Sequence, residues 1–346
     1  MDRPSGTGAC CDKMKHLVDI ASSEECVSLL GYGSYLNIQG ELFADVVKGT
    51  GQWFLKSEEF STWVAGSGET LFCPGIFGSG KTMMTSIAIN EVCRRFSHDP
   101  SVGVAFLYLD DDDACELYPL GLKSFATCLL RQFVAYGKDT PDSPTVRALF
   151  DTRAVVGTEN GGPTYEETME ALQTVMGNYE RTYIFVDSLH YMSRVANCYC
   201  GPDELVHMLR SLQGSLGTNL LCTSIPVPDV ERLFTKVPSL KIEATTTDIE
   251  LFLEAKMKNL PGYIRNNPKL QAEVKDTITS RVDGMLVHSP VSQIIMKFRN
   301  STLTLISGSS LPLATSRISL TRRPHQERER FFIICRPIWR TGITVL

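Results

Sequence analysis

Apolar residues along this chain fall into two rhythms. Short, mostly apolar runs read as buried strands: TLFC (70–73), VGVAFLYLD (102–110), YIFVD (183–187), NLLCTSI (219–225) and LKIEA (240–244). Between them the spacing turns helical. After Ser57, a plausible N-cap, Glu58 and Glu59 suit the positive end of a short helix, and Phe60, Trp63 and Val64 share its inner face. A longer helix ends near Phe96, with Ala88, Ile89, Val92, Cys93 and Phe96 inward and Glu91, Arg94 and Arg95 outward. Further helices fit 119–137, Thr164 to about Asn178 (with Thr164 and Glu167 as a capping box), 203–213 and 268–282. Thr247 and Glu250 cap one more, whose Ile249, Phe252, Leu253, Met257 and Leu260 share a face. Residues 138–163, rich in Pro, Gly and Asp, read as a loop, and residues 1–47 show no clear period. Strands alternating with helices predict an α/β fold: a five-stranded, mainly parallel, doubly wound sheet flanked by helices, then a small helical segment.

Composition narrows this picture without redirecting it. A chain of 346 residues with 43% apolar and 21% charged residues is that of a globular protein. The net charge of −5 is uneven: from Met285 onward nine Lys and Arg stand against two Glu, a balance of +7, so the first 284 residues carry −12. The overall negative charge argues against a general nucleic-acid binder. MDRPSGTGACCDKMKH lacks the apolar core of a signal peptide, and no apolar run is long enough to span a bilayer, so a cytoplasmic location is expected. Eleven cysteines without regular spacing read as reduced thiols. His190, Cys198, Cys200 and His207 lie close in sequence, but Cys-x-Cys lacks zinc-site spacing, and loop thiols are the preferred reading.

The chemistry concentrates in GIFGSGKT: Gly75, Ile76, Phe77, Gly78, Ser79, Gly80, Lys81 and Thr82. Gly-x4-Gly-Lys-Thr between a strand and a helix is the phosphate-binding P-loop, and that flanking context separates it from a chance Gly-rich turn. The glycines permit a tight turn that converges backbone N–H groups on phosphate oxygens. Lys81 is expected to reach the β- and γ-phosphates, and the Thr82 hydroxyl to ligate Mg²⁺. Asp187, at the C-terminal tip of a buried strand, lies on the ligand side of such a sheet and is the expected second metal residue, directly or through water. The competing reading is a carboxylate that merely caps the following turn.

From GTGQWFL through GIFGSGKT, VDSL and LLCTS to VDGM, about residues 48–284, the chain resembles the nephrocystin-3-like N-terminal domain. This is a NACHT-related signal-transduction (STAND) NTPase module found in filamentous-fungal NOD-like proteins. Gly49, Gly51 and Trp53, and Cys73-Pro74-Gly75 at the loop entry, carry the resemblance most specifically. It implies a nucleotide-controlled switch binding ATP or GTP with Mg²⁺. ATP is the default because no Asn-Lys-x-Asp guanine reader is present. It also implies an upstream effector domain, downstream repeats, protein partners reached through those domains, and association on nucleotide binding.

Three departures matter. The family strand continues Asp-Ala-Leu-Asp-Glu, so its water-activating acids fall on His190 and Tyr191. A phenol with an ordinary pKa near 10 is no base at neutral pH. The fourth strand, typically Thr-Ser-Arg, here reads Thr223-Ser224-Ile225 and lacks a cation near the γ-phosphate. A trans-acting Arg is worth about 10³–10⁵ in rate in related enzymes. Finally, residues 285–346 replace a Leu-rich helix with a basic Ser/Thr/Arg-rich stretch, read as a truncated or mis-spliced continuation in preference to a docking tail. The expectation is therefore binding without efficient hydrolysis, and catalytic residues are not assigned. His190 or the run Asp110–Asp113 are the two candidate substitutes. An interaction scaffold with a vestigial site and an active NTPase or small-molecule kinase are the alternatives. The expected organisation is 1–47 of unclear fold, 48–245 core, 246–284 helical extension and 285–346 tail.

Overall fold

Four of the apolar runs become parallel strands in the computed structural model, which describes residues 35–109, 121–136, 163–193, 200–257 and 265–279. These residues all belong to one compact unit, Met1–Ile294. In chain order the principal elements are α1 (Tyr35–Asp45), α2 (Gln52–Leu55), α3 (Glu58–Ala65), β1 (Thr70–Pro74), α4 (Lys81–Arg95), β2 (Val102–Tyr108) and α5 (Leu122–Tyr136). They continue as α6 (Tyr165–Met176), β3 (Arg181–Asp187), a 3-10 turn (Leu189–Ser193), α7 (Pro202–Leu216), β4 (Asn219–Ser224), α8 (Pro228–Glu231), α9 (Thr246–Met257) and α10 (Pro268–Thr279). The sheet order is β1-β4-β3-β2, all parallel.

The fifth predicted strand is present only as a paired edge. Residues 238–242 run along β1: Phe72 N–H donates to Pro238 O (3.0 Å), Leu240 N–H to Phe72 O (2.9 Å) and Ile242 N–H to Pro74 O (2.7 Å). The isolated parallel bridge here is Phe72 with Ser239. The next rung would need an N–H from Pro74, which has none, so the ladder is interrupted and no regular strand forms. Among the described residues the five-strand expectation is corrected to four strands plus this segment.

Strand alternation divides the core. Val102, Val104 and Phe106 join Tyr183, Phe185, Leu71 and the α4 residues Ile89 and Val92 in one cluster. Gly103, pointing the other way, faces Phe133 of α5, whose ring would lie 2.9 Å from any Cβ placed there. Helices therefore cover both faces, as a doubly wound sheet requires. On the α4 side Trp63 packs edge-on against Tyr183 and Phe185, each at 5.5 Å, and its indole N–H donates to Leu220 O at 2.9 Å. On the edge of β2 away from β3, the Gln132 side chain pairs with both backbone groups of Phe106 at 2.9 and 2.8 Å. That removes the cost of leaving an edge amide and carbonyl buried and unpaired.

The local readings hold in detail. The Ser57 hydroxyl accepts the Phe60 N–H, and both arms of the Thr164–Glu167 capping box form. One cap is corrected: α9 is capped by Thr245, whose hydroxyl accepts the Asp248 N–H at 3.1 Å, rather than by Thr247. Asp248 is buried in the first turn of α9, together with Ile249, Leu253 and Met257 further along it. Leu260, the 138–162 part of the loop, Asp110–Asp113, Cys198 and the tail 285–346 lie outside the described residues.

Candidate nucleotide site at the tips of β1 and β3

The loop between β1 and α4 owes its shape to residues with little or no side chain where the chain is crowded. Gly78 and Gly80 take φ of 79° and 92°, a region that penalises any Cβ. Gly75 is needed for space instead: a Cβ there would lie 2.5 Å from Ser79 Oγ and 2.6 Å from Ile242 O. Its N–H donates to Ser224 O at 3.0 Å, tying the loop entry to the end of β4. Ile76 and Phe77 are exposed, while Ser79 is fully buried with an Oγ that has no hydrogen-bond partner.

Lys81 is buried at the start of α4, and its Nζ donates to Gly75 O (3.1 Å) and Ile76 O (3.0 Å). The ammonium is thus folded onto the carbonyls of its own loop. Burial lowers its pKa below the ordinary lysine value, and the charge of Asp187 opposes that shift.

Alternation along β3 puts Tyr183, Phe185 and Asp187 on one side, and Tyr183 and Phe185 pack in the α4 cluster. Asp187 therefore meets α4. Thr82, on the first turn, donates to Asp187 Oδ2 at 2.7 Å, and Thr85, three positions on, donates to Oδ1 at 3.0 Å. From β4, Thr223 donates to Oδ1 at 2.6 Å, and Ser188 donates to Oδ2 at 3.0 Å. The carboxylate is 2% exposed and accepts four hydroxyls. It does not cap the following turn through its side chain. The reversal there is made by Ser188 itself, at φ 66°, whose N–H donates to Thr223 Oγ1 at 2.9 Å.

The fold thus brings together Lys81, Thr82 and Asp187, three residues picked out from the motif. Hydroxyl and carboxylate oxygens meeting at 2.7 Å form the hard-oxygen donor set that suits Mg²⁺, so the residues fit the metal that the P-loop implies. His190 is placed differently. It is 2% exposed in the 3-10 turn, its ring tilted against that of Tyr191 with centroids 4.4 Å apart, and its Nδ1 accepts the Ile225 N–H at 3.4 Å. Tyr191 is buried as well.

Sequence reasoning missed Thr85, Ser188 and Asp248, and named Thr223 only for the cation missing beside it. Thr85 carried a usable signal, since it sits on the Thr82 face of the same helix. Asp248 carried none: it lies in the chain almost two hundred residues from its partners. Its Oδ1 accepts the Gly51 N–H (2.9 Å) and its Oδ2 accepts the Trp53 indole N–H (2.8 Å). Gly51 must remain glycine there, at φ 72° with Ile87 Cδ1 2.9 Å from a would-be Cβ. The Gly-x-Gly-x-Trp lead-in is therefore a docking element for α9 beside α4.

The match of the nephrocystin 3 N-terminal family model runs over residues 49–224, from that lead-in to the tip of β4. This chain belongs to the nephrocystin 3 N-terminal family. No curated protein matches it in sequence. Among solved structures, this family member is similar to a Walker-type ATPase of Pyrococcus abyssi, at 14% identity and a TM-score of 0.45, over 72% of this chain and 71% of that one. It is also similar to the ORC1 protein of Aeropyrum pernix solved in complex with DNA (14%, TM-score 0.40, 74% and 66% covered). A third likeness is to a DNA replication initiation factor (13%, TM-score 0.38, 72% and 60% covered). The chain spans less than two thirds of the length of these last two proteins. The family member has the P-loop NTPase fold, with its loop between β1 and α4. Among the described residues no helix is long and apolar enough to cross a membrane, and no cluster of three or more His, Cys, Asp or Glu forms a metal site.

Proposed function

We propose that this chain is a STAND-type signalling module that binds ATP, with GTP as the alternative, together with Mg²⁺, and hydrolyses it weakly or not at all. The observation that carries this reading is the Thr82–Asp187 hydrogen bond, which joins the P-loop helix to the tip of β3 in a hard-oxygen pair beside Lys81. On nucleotide binding, Gly75 to Thr82 offer backbone N–H groups to the phosphates, and Lys81 exchanges the Gly75 and Ile76 carbonyls for phosphate oxygens. Such an exchange relieves the desolvation of Lys81, since an anion replaces two neutral dipoles. Mg²⁺, held through Thr82 and Asp187, would offset charge on the β- and γ-phosphates.

Weak hydrolysis follows from what stands past Asp187. The family's two acids are replaced by His190 and Tyr191, and both rings are buried. His190 Nδ1 is engaged by the Ile225 amide, so it is not offered to a water as a base. Ile225, at the tip of β4, supplies no charge to the γ-phosphate. A module boundary at 48–245, with 246–284 as an extension, and partners and association governed by nucleotide state belong to the same reading.

The test is to incubate the purified protein with labelled ATP·Mg²⁺, isolate the bound fraction and identify the nucleotide, with Lys81→Ala as control. Retained, intact ATP in the wild type and none in the control is the expected result. No retention by the wild type rejects the binding reading, and rapid conversion to bound ADP rejects weak hydrolysis.

A further inference from the structure

The cage around Asp187 is asymmetric in a way that bears on which cation accompanies the nucleotide. A carboxylate offers about four acceptor sites, and here four hydroxyls fill them. The two on Oδ1 come from regular elements. Thr85 is 1% exposed in the interior of α4, and Thr223 is fully buried in β4. The direction of the Thr223 proton is also fixed. Its oxygen already accepts the Ser188 N–H, so its single proton is committed to Asp187 Oδ1. Of the two on Oδ2, Ser188 is buried in a left-handed turn, but Thr82 is half-buried on the first turn of α4. Both hydroxyls on Oδ1 are buried, and Oδ2 alone has a half-buried donor, Thr82, that can exchange.

We propose that Thr85 and Thr223 are specificity-determining residues that make Asp187 a one-oxygen carboxylate and so select Mg²⁺ over Ca²⁺. This rests on the nucleotide-binding reading above. Ca²⁺ gathers six to eight oxygens and accepts carboxylates through one or both of theirs, whereas Mg²⁺ keeps a strict octahedron and several of its waters. A two-oxygen contact requires Oδ1 to release at least one of two buried hydroxyls that have no solvent to turn to, an unfavourable loss. A one-oxygen or water-mediated contact through Oδ2 leaves both in place. The cage thus discriminates by geometry, since both cations carry the same charge.

The experiment compares ATP affinity with Mg²⁺ and with Ca²⁺ as the only divalent ion, by equilibrium dialysis. It uses the wild type, Thr85→Val, the Thr85→Val/Thr223→Val double variant, and Thr85→Ser, with thermal unfolding to verify folding. The expected result is an affinity ratio favouring Mg²⁺ in the wild type and in Thr85→Ser. In Thr85→Val that ratio falls by about tenfold, the worth of one hydrogen bond to a charged group, and further in the double variant. An unchanged ratio in a folded, ATP-binding Thr85→Val overturns the proposal, as does an equal fall in Thr85→Ser. If the double variant does not fold, Thr85→Val decides. Wild type that binds ATP with neither cation overturns the nucleotide reading and this proposal together; wild type that binds with both equally overturns this proposal alone.

Discussion

The indole N–H of Trp53 donates to Asp248 Oδ2 at 2.8 Å across 195 positions of sequence. With the Gly51 N–H on the other oxygen, this one buried carboxylate joins the lead-in before β1 to the first turn of α9. The joint sits against the P-loop helix, because Gly51 packs on Met84 and Ile87. A motif that reads as a family marker is therefore half of a tertiary clamp.

Removing either half should destabilise the fold without touching the phosphate loop. Trp53→Phe deletes a hydrogen bond to a charged group, worth about 1.5–3 kcal/mol. Asp248→Ala leaves two donors without their acceptor and should cost about 3 kcal/mol or more. Urea unfolding of both single variants and the double should show a combined loss smaller than the sum. Strict additivity would mean the two side chains do not act as a unit.

Asp187→Asn tests the cage. An amide oxygen accepts only two of the four hydroxyls, and its NH₂ meets two donors that must turn away. We expect a loss of about 2 kcal/mol in the nucleotide-free protein, measured by chemical denaturation. A stabilised variant would show that the buried charge outweighs its hydrogen bonds.

Gly75→Ala places a Cβ against the Ile242 carbonyl, which is backbone and has little room to yield. The loop entry should shift from both 238–242 and β4, at a cost of about 1–3 kcal/mol, with labelled ATP retention lost. Wild-type retention in this variant would dissociate loop position from binding.

Burial sets the alkaline limit. In β4 and β1, the Cys222 thiol is pushed up to about 12 from 9.0, and Cys73 is raised well above 9.0 by burial and then by Cys222. The unfolded chain releases these protons near 9 while the folded chain keeps them. Their contribution is therefore complete below about pH 9 and is lost as pH rises toward about 12, at about 1.4 kcal/mol per pH unit for each thiol. Urea midpoints between about pH 8 and about pH 10.5 should fall less steeply in Cys222→Ala than in the wild type. Identical slopes would assign the alkaline loss to other groups.

Replacing His190 with Asp and Tyr191 with Glu places acids in a buried turn, at the two positions where the family resemblance expects them, and desolvation there raises carboxylate pKa values toward those of a useful base. Phosphate release above the Lys81→Ala background is the expected outcome. A folded double variant without turnover would move the proposed cause of the weak hydrolysis expected here to Ile225.

What could be read directly from the chain is what depends on near neighbours. The four strands, the Ser57 cap, the Thr164–Glu167 box and the P-loop are set by side-chain period, capping and glycine geometry within a few residues. The interrupted fifth strand was in principle readable from Pro74, but only once 238–242 was known to lie on that edge. The four hydroxyls on Asp187 come from positions 82, 85, 188 and 223, and their meeting depends on strand order and register. The Asp248 clamp and the burial of His190 depend on them equally. Periodicity tells which face of an element turns inward. It does not say which other element that face will meet, and a buried carboxylate takes its role from the donors that packing delivers to it.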